Sequence, residues 1–546
     1  MKIFNICEKY LMNHKGSLTI YFFITIFVGL FALVNPFLIG NFIDSLIDGG
    51  TMTVVYRFAI VFTIINILKT SLNYITMIIY TKTQTKIAHG FSQDIIEHTH
   101  KTSLSFINKN DTNYLSQVIN GDTNMLVIFC ISIVQNFILN GIHLILPTII
   151  LFNLNPSVAG VLMIFLVLYI LIYKKFKNPL FARSMSHRIA QNKYFATLME
   201  QLKFTKFIKI HVLGKLFRNR MDKSVDELLD ETLRMQKLNF TYSSLDTAVT
   251  TLVQIALFLI GGWLILNGNF TIGMFTIFSM YFNMMLGSAK YFFSFGKSYQ
   301  DNLVSYERLT EILSTPIESH GTTEVSCIHE IQLKNLNFSY VDTQGKPIIS
   351  NLSASLKKGN VYGILGKNGA GKSTLINLIL GMYIDERGGD ILINGTSSKS
   401  LDMIHIRKHY MGISEQEPVI LNESIPKNIF GLIHKAPTSN LDKNLSRYAE
   451  KINFAEVLNR PYDDDKTKEN GSLSFSGGEK QKLSILRLML KNPDVMIFDE
   501  PTSALDIMST KSFVEYIQEV KKDKIIIIIT HDDHIASICD EIISLS

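Results

Sequence analysis

The segment Gly366-Lys367-Asn368-Gly369-Ala370-Gly371-Lys372-Ser373 has the composition and spacing to do chemistry. It fits GxxxxGK[ST], follows the apolar run 361–365 and opens the helical run 374–381. Glycines let successive backbone N–H groups close on phosphate oxygens, at a helix start that already favours anions. Lys372 would reach the β- and γ-phosphates, and Ser373 would hold Mg²⁺. Gly366, Lys367, Asn368, Gly369, Ala370, Gly371 and Thr374 would complete an ATP cradle. Asp499 ends the apolar run 495–498, where a second Mg²⁺ contact is needed. Glu500 follows it and is a candidate general base for an attacking water. Pro501-Thr502-Ser503-Ala504-Leu505-Asp506 comes next, and His531 lies just beyond an all-isoleucine run.

These groups need a rigid frame. From about residue 329 short β-rich runs alternate with helical stretches, the pattern of an α/β domain. The runs 495–498 and 525–529 are continuously apolar, as buried parallel strands should be. A breaker-rich linker, 314–328, separates this domain from a different kind of sequence, 1–313. There, six apolar stretches, roughly 18–43, 56–80, 124–152, 155–174, 243–267 and 272–295, are long enough to cross a bilayer as helices. The third and fourth meet at Asn153-Leu154-Asn155-Pro156-Ser157, the fifth and sixth at Asn267-Gly268-Asn269-Phe270, both turn chemistry. The connections after the second and fourth stretches are long and polar, with apolar residues at helical spacing in 216–238. The spans are therefore expected to run on as helices beyond the membrane.

Charge sets the orientation. Lys82, Lys86, Lys101 and Lys109 follow the second stretch, and Lys174, Lys175, Lys177, Arg183, Arg188 and Lys193 follow the fourth. The opposite connections hold only Arg57, beside Asp44 and Asp48. The basic side is the cytoplasmic one, so both termini and the α/β domain are expected there. The net charge of +6 over 546 residues belongs to these loops, and no nucleic-acid partner is expected. With 47% hydrophobic residues and a mean hydropathy of +0.20, the chain is part membrane and part soluble. Cys7, Cys130, Cys327 and Cys539 are too scattered for a disulfide framework or a zinc site. The first apolar run is too long for a signal peptide and reads as an uncleaved span.

The combination resembles the half-transporters of the ABC exporter family over essentially the whole chain. The resemblance rests on the phosphate loop, on Phe475-Ser476-Gly477-Gly478-Glu479 ahead of the magnesium strand, and on Asp499-Glu500 with His531. It implies that Ser476, Gly477 and Gly478 cap the γ-phosphate of ATP held by a second subunit. It further implies that Tyr340 stacks on adenine, that Gln416 contacts Mg²⁺, that Asp506 crosses the dimer seam and that His531 meets the γ-phosphate. Asn35-Pro36-Phe37 to Asp44 and Ser305-Tyr306-Glu307-Arg308-Leu309 resemble the ends of the family's first and last spans. By analogy the turns at 106–114 and 203–214 are coupling helices. Phe475 and Glu479 stand where the family usually has Leu and Gln, with little effect expected. The sequence stops at Ser546, so a C-terminal dimer contact found in the family is expected to be missing. No peptidase domain precedes the first span, so cargo cleavage is not expected.

The resemblance implies export driven by ATP with Mg²⁺ as cofactor, by a dimer embedded in membrane lipid. A homodimer is favoured over pairing with a different half, because one chain holds one phosphate loop and one signature. The expected cargo is a small peptide or an amphipathic lipid or drug. An ATP-gated channel or sensor is the alternative function. An importer is disfavoured by the fusion, and six spans exclude a soluble ATPase. Polar residues inside the spans, Lys69, Gln135, Asn136, Asn140, His143, Asp246, Gln254, Asn283 and Lys290, are the local clues to cargo. Of these, Asp246 and Lys290 could simply pair with each other.

Overall fold

A computed structural model describes residues 2–340, 347–421, 423–431, 433, 439–458 and 475–545. The chain packs into two units, one of 1–97 with 113–314, the other of 98–112 with 315–546.

The first unit is helical. It contains α1 (Lys2–Asn13), α2 (Lys15–Ile47) and nearly all of α3 (Met52–Lys101). Beyond the short α4 (Leu104–Lys109) and α5 (Thr112–Gln117), it continues through α6 (Thr123–Leu154), α7 (Pro156–Lys203), α8 (Thr205–Ile210), α9 (Gly214–Leu266) and α10 (Ile272–Ser314). Among the described residues six helices are long and apolar enough to cross a membrane. Four of the helices exceed 40 residues, so the expected continuation beyond the apolar windows is present in α3, α7, α9 and α10. The α6–α7 turn is closed by Asn155, whose side chain accepts from the Ser157 and Val158 backbone N–H groups while Pro156 starts the next helix.

Helices with apolar sides all round gain little from hydrophobic sorting in lipid, so close packing and hydrogen bonds must hold them together. The α2–α10 crossing shows both. Gly40 and Gly273 let the backbones meet, and a Cβ on Gly273 would lie 2.1 Å from the Gly40 carbonyl oxygen. Asp44 accepts from the Thr271 hydroxyl at 2.6 Å and the Gly273 N–H at 2.7 Å. Pro36 interrupts the α2 ladder, and the buried Tyr281 hydroxyl donates to the Leu33 carbonyl one turn earlier at 2.6 Å. Tyr169 on α7 meets Tyr242 on α9, hydroxyl to hydroxyl at 2.9 Å. On the α6–α10 side, buried Asp122 accepts from Ser305 at 2.9 Å and Arg308 at 2.8 Å. The stretch at 2–13, left unassigned by sequence, is a helix that buries Ile3 and Cys7 and ties Lys9 and Tyr10 to Asp94 of α3.

The second unit carries two sheets. Antiparallel order β2-β1-β4-β5 is formed by β1 (Glu330–Phe338), β2 (Ile349–Lys357), β4 (Gly388–Ile393) and β5 (Thr396–Ser397). Parallel order β6-β7-β8-β3-β9 is formed by β3 (Val361–Gly366), β6 (Met411–Ser414), β7 (Val495–Asp499), β8 (Ile525–Ile529) and β9 (Glu541–Leu545). All five β8 isoleucines are buried, because helices and the other sheet cover both faces of the parallel sheet. Its helices are α11 (Lys372–Ile379), α12 (Met403–His409), α13 (Ser439–Lys451), α14 (Ala455–Leu458), α15 (Gly477–Lys491), α16 (Ile507–Val520) and α17 (Asp533–Ala536). The short α4 belongs here. Leu104 packs on the core, Ser105 donates to Glu386, and Asn108 approaches the Tyr383 hydroxyl at 3.4 Å.

The glycine crossing gives a stability prediction. Gly273→Ala forces α2 and α10 apart and should cost about 1–3 kcal/mol. It should lower the thermal midpoint in lipid, whereas Gly287→Ala, whose Cβ meets nothing within 4 Å, should not.

Candidate active site

The strand order explains where the site forms. Strand β3 lies between β8 and β9, with β7 beyond β8, so the C-terminal ends of β3, β7 and β8 open side by side. Ligands bind at such strand ends in open parallel sheets. Lys372, Asp499 and His531 follow from these strands, and a cavity of about 680 Å³ collects them with Tyr340, Asn368, Gly369, Gly371, Ser373, Thr374, Gln416 and Glu500.

The loop itself depends on backbone freedom. Gly369 and Gly371 have φ of 85° and 90°, and a Cβ on Gly371 would lie 2.6 Å from Ile348. Lys372 opens α11 and is 9% exposed. Its ammonium donates to the Gly366 carbonyl at 2.7 Å, lies 2.7 Å from His531 Nε2, and reaches the Lys367 carbonyl at 3.5 Å. Among the described residues no carboxylate lies within ion-pair distance of it. Ala370 borders Gly366.

The acids gather opposite. The Ser373 hydroxyl stands 3.5 Å from Asp499, and Gln416 donates to Glu500 at 2.9 Å. Burial pushes the Asp499 carboxyl above its ordinary range, and the neighbouring Glu500 charge pushes it further. A hydroxyl, a carboxylate and a side-chain amide at one edge of a phosphate cradle are the oxygen donors Mg²⁺ takes, so Ser373, Asp499 and Gln416 fit that ion. Glu500 adopts φ 47°, costly for a residue with a Cβ, and its N–H donates to Ile529 at 2.9 Å. The conformation aims the carboxylate at Gln416 and at His531, which is 3.8 Å away. On the other wall the Tyr340 hydroxyl meets Thr374 at 3.0 Å, and its ring lies edge-on to Phe338 and Tyr383.

Ser476, Gly477, Gly478 and Asp506 are absent from this cavity's wall. Ser476 caps α15, accepting from the Glu479 N–H at 3.3 Å while Glu479 accepts from the Ser476 N–H at 2.8 Å. Gly478 passes so close to Ala504 that a Cβ would lie 2.6 Å from its carbonyl oxygen. Asp506 caps α16, and the Lys482 ammonium 2.7 Å away, with the Ser509 N–H, holds its carboxyl far below the usual range.

Sequence reasoning missed Arg487 and Asn428. The guanidinium donates to the Asn428 carbonyl at 2.8 Å, to its side-chain oxygen at 2.9 Å and to the Val419 carbonyl at 2.8 Å. This pair holds the segment that follows Gln416, and burial pushes Arg487 down to about 10. The only signal in the sequence is a cation set between apolar residues of α15.

Two substitutions test the geometry. Tyr340→Ala should weaken ATP binding by about 1–3 kcal/mol through lost stacking. Tyr340→Phe, which loses the hydroxyl and its Thr374 contact but keeps the ring, should keep most of the affinity in the same equilibrium titration. Glu479→Ala removes half of the capping box and should destabilise the ATP-binding unit by about 1 kcal/mol. Glu479→Gln should leave the thermal midpoint within error.

Comparison with known proteins agrees with this architecture. Residues 18–289 match the ABC transporter transmembrane region and residues 349–503 match the ABC transporter model. The chain is 28% identical over 380 residues to the alpha-hemolysin translocation ATP-binding protein HlyB of Escherichia coli O157:H7. That match covers 69% of this chain but only 53% of HlyB, about half its length. It is 24% identical over 474 residues to the ATP-dependent lipid A-core flippase of Syntrophus aciditrophicus, covering 86% and 77% of the two chains. It is 25% identical over 529 residues to YgaD of Bacillus subtilis, a protein named for multidrug export, covering 93% and 89%. The fold superposes on a bacterial Atm1-family ABC exporter with ATP bound at a TM-score of 0.80, with 19% identity and 97% and 94% coverage. The chain therefore belongs to the ABC exporter family, as a multi-pass membrane protein that carries its transmembrane region and its ATPase domain on one polypeptide.

Proposed function

We propose that the chain is one protomer of an ATP-driven exporter that works as a dimer of two copies. The observation that carries this is the meeting of Lys372, Asp499, Glu500, Gln416 and His531 at one cavity, in a chain that also has six helices able to cross a membrane. The loop N–H groups and Lys372 bind the phosphates. Ser373, Asp499 and Gln416 would hold Mg²⁺, which when bound draws charge off the phosphate oxygens. Glu500 accepts a proton from the attacking water, and His531 hydrogen-bonds the γ-phosphate.

Dimerisation follows from what one copy lacks at its own cavity. Ser476 and Gly477 are exposed at the start of α15, whose helix dipole can meet an anion. Beside exposed Asp506, Ile507 and Met508 are 91% and 75% exposed, an apolar pair suited to a seam. Two copies arranged head to tail bring each signature to the other's phosphate loop. Closure around ATP and release after hydrolysis would then drive the spans between inward-open and outward-open states. The loop lysines and arginines support cytoplasmic termini. Hemolysin, lipid A-core and multidrug names among the relatives support a peptide or amphipathic cargo. A channel gated by ATP is the second reading, and uphill accumulation separates the two.

Glu500→Gln should retain ATP and Mg²⁺ binding while hydrolysis falls by about 10²–10⁴-fold. Lys372→Ala should instead lose binding. In inside-out vesicles both should abolish ATP-driven accumulation. A Glu500→Gln chain that hydrolyses ATP at the parental rate would sink this assignment of the base.

A further inference from the structure

A second large cavity, of about 670 Å³, lies wholly inside the helical unit, among α7, α9 and α10. Its size is that of a site for a drug-sized ligand. Tyr169, Tyr173 and Phe181 line it from α7 at intervals that keep them on one helix face, and Tyr242 lines it from α9. Three of these four carry a hydroxyl, so the wall is apolar with polar edges.

The charges in the cavity are unequal. Among the described residues its titratable side chains, apart from the tyrosines, are Lys177, His187, Asp246 and Lys290. Asp246 is already committed, since the Lys290 ammonium sits 2.7 Å from it and 5.8 Å from the Tyr169 ring centre. Lys177 has no carboxylate within ion-pair distance among the described residues. Its ammonium lies at Gly296 of α10, 3.7 Å from where a Cβ would stand. Lys174 and Lys175 neighbour it in sequence, yet only Lys177 faces the cavity. The paired charges cancel, and among the described residues the cavity keeps Lys177 as an unpaired ammonium in front of an aromatic wall.

We propose that this cavity binds an amphipathic anion, with its carboxylate or phosphate at Lys177 and its apolar body against Tyr169, Tyr173, Phe181 and Tyr242. As a cargo site it deepens the export reading and rests on it. A cationic amphipath, which aromatic faces alone would welcome, is repelled by Lys177. A carboxylate could come from a peptide C-terminus and a phosphate from a lipid head.

The test is equilibrium binding to the full-length protein in lipid nanodiscs without nucleotide. The probes are an N-acetylated Leu-Phe-Phe-Leu peptide as free acid and as C-terminal amide, and decyl phosphate with decyltrimethylammonium. At least one anion should bind about tenfold or more tightly than its uncharged or cationic counterpart, the worth of one charge-assisted hydrogen bond. Preference for the free acid marks a peptide-type ligand, and preference for the phosphate a lipid-type one. Lys177→Gln should erase the preference, while Lys177→Arg and Lys174→Gln keep it with unchanged thermal midpoints. Equal binding within both pairs, or a preference that survives Lys177→Gln, overturns the proposal. ATP-driven accumulation of the preferred anion in inside-out vesicles is read separately. Selective binding without accumulation by the parental chain would sink export and leave the anion site standing.

Discussion

Lys372 is a cation that no carboxylate among the described residues neutralises. The residue is 9% exposed, and its ammonium is held by two carbonyl oxygens and an imidazole rather than by a carboxylate. A buried charge in that position is costly unless an anion arrives. The surroundings are arranged for an anion of one shape. Loop glycines at positive φ line the cavity, α11 adds its N-terminal dipole, and Asp499 and Glu500 share the same wall. Burial of Asp499 beside Glu500 raises the cost of charge on that side too, so a polyphosphate and a divalent cation together relieve both faces. The nucleotide site is in this sense an electrostatic problem posed by the fold and solved by the ligand.

The same logic extends outward. The Tyr340 wall is locked to Tyr383, and Tyr383 meets Asn108 of α4, whose neighbour Ser105 bonds Glu386. The Tyr340 wall and α4 are therefore linked through Tyr383. Inside the helical unit the bonds are of a different kind. Gly40 against Gly273, the Asp44 cap and the Tyr281–Leu33 bond replace the hydrophobic sorting that lipid cannot supply. Asp246 and Lys290, singled out as intramembrane charges, pair with each other at 2.7 Å. His143 rests on the Gly29 carbonyl, while Asn140 and Asn283 bond their own helices. Lys69 is half-buried.

Where local chemistry dictates structure, the sequence was legible. The phosphate loop needs its glycines in order, the all-isoleucine β8 can only be a covered strand, and Asn155-Pro156 can only start a helix. The six spans follow from length and hydropathy. Less was legible where distant residues decide. The helix at 2–13 is too short to read as a span and is fixed by Lys9 and Tyr10 reaching Asp94, some 85 residues away. Glu479, a departure from the family pattern, is a capping partner of Ser476, and a carboxylate serves that purpose as well as an amide. Arg487 with Asn428, and Tyr383 with α4, join segments that no periodicity links. The α7–α9–α10 cavity likewise exists only once three helices have packed.

The central claim is that each hydrolytic site takes its phosphate loop from one copy and its signature from another. Disulfide trapping tests it most directly. In a chain lacking Cys7, Cys130, Cys327 and Cys539, cysteines placed by Asn368→Cys and Ser476→Cys should cross-link two copies on oxidation. Adding Glu500→Gln should make the bond form with ATP and Mg²⁺ and not without them. Covalent dimers appearing only with ATP are the predicted result. Monomers under every condition, or a disulfide closed within one chain, would contradict the account.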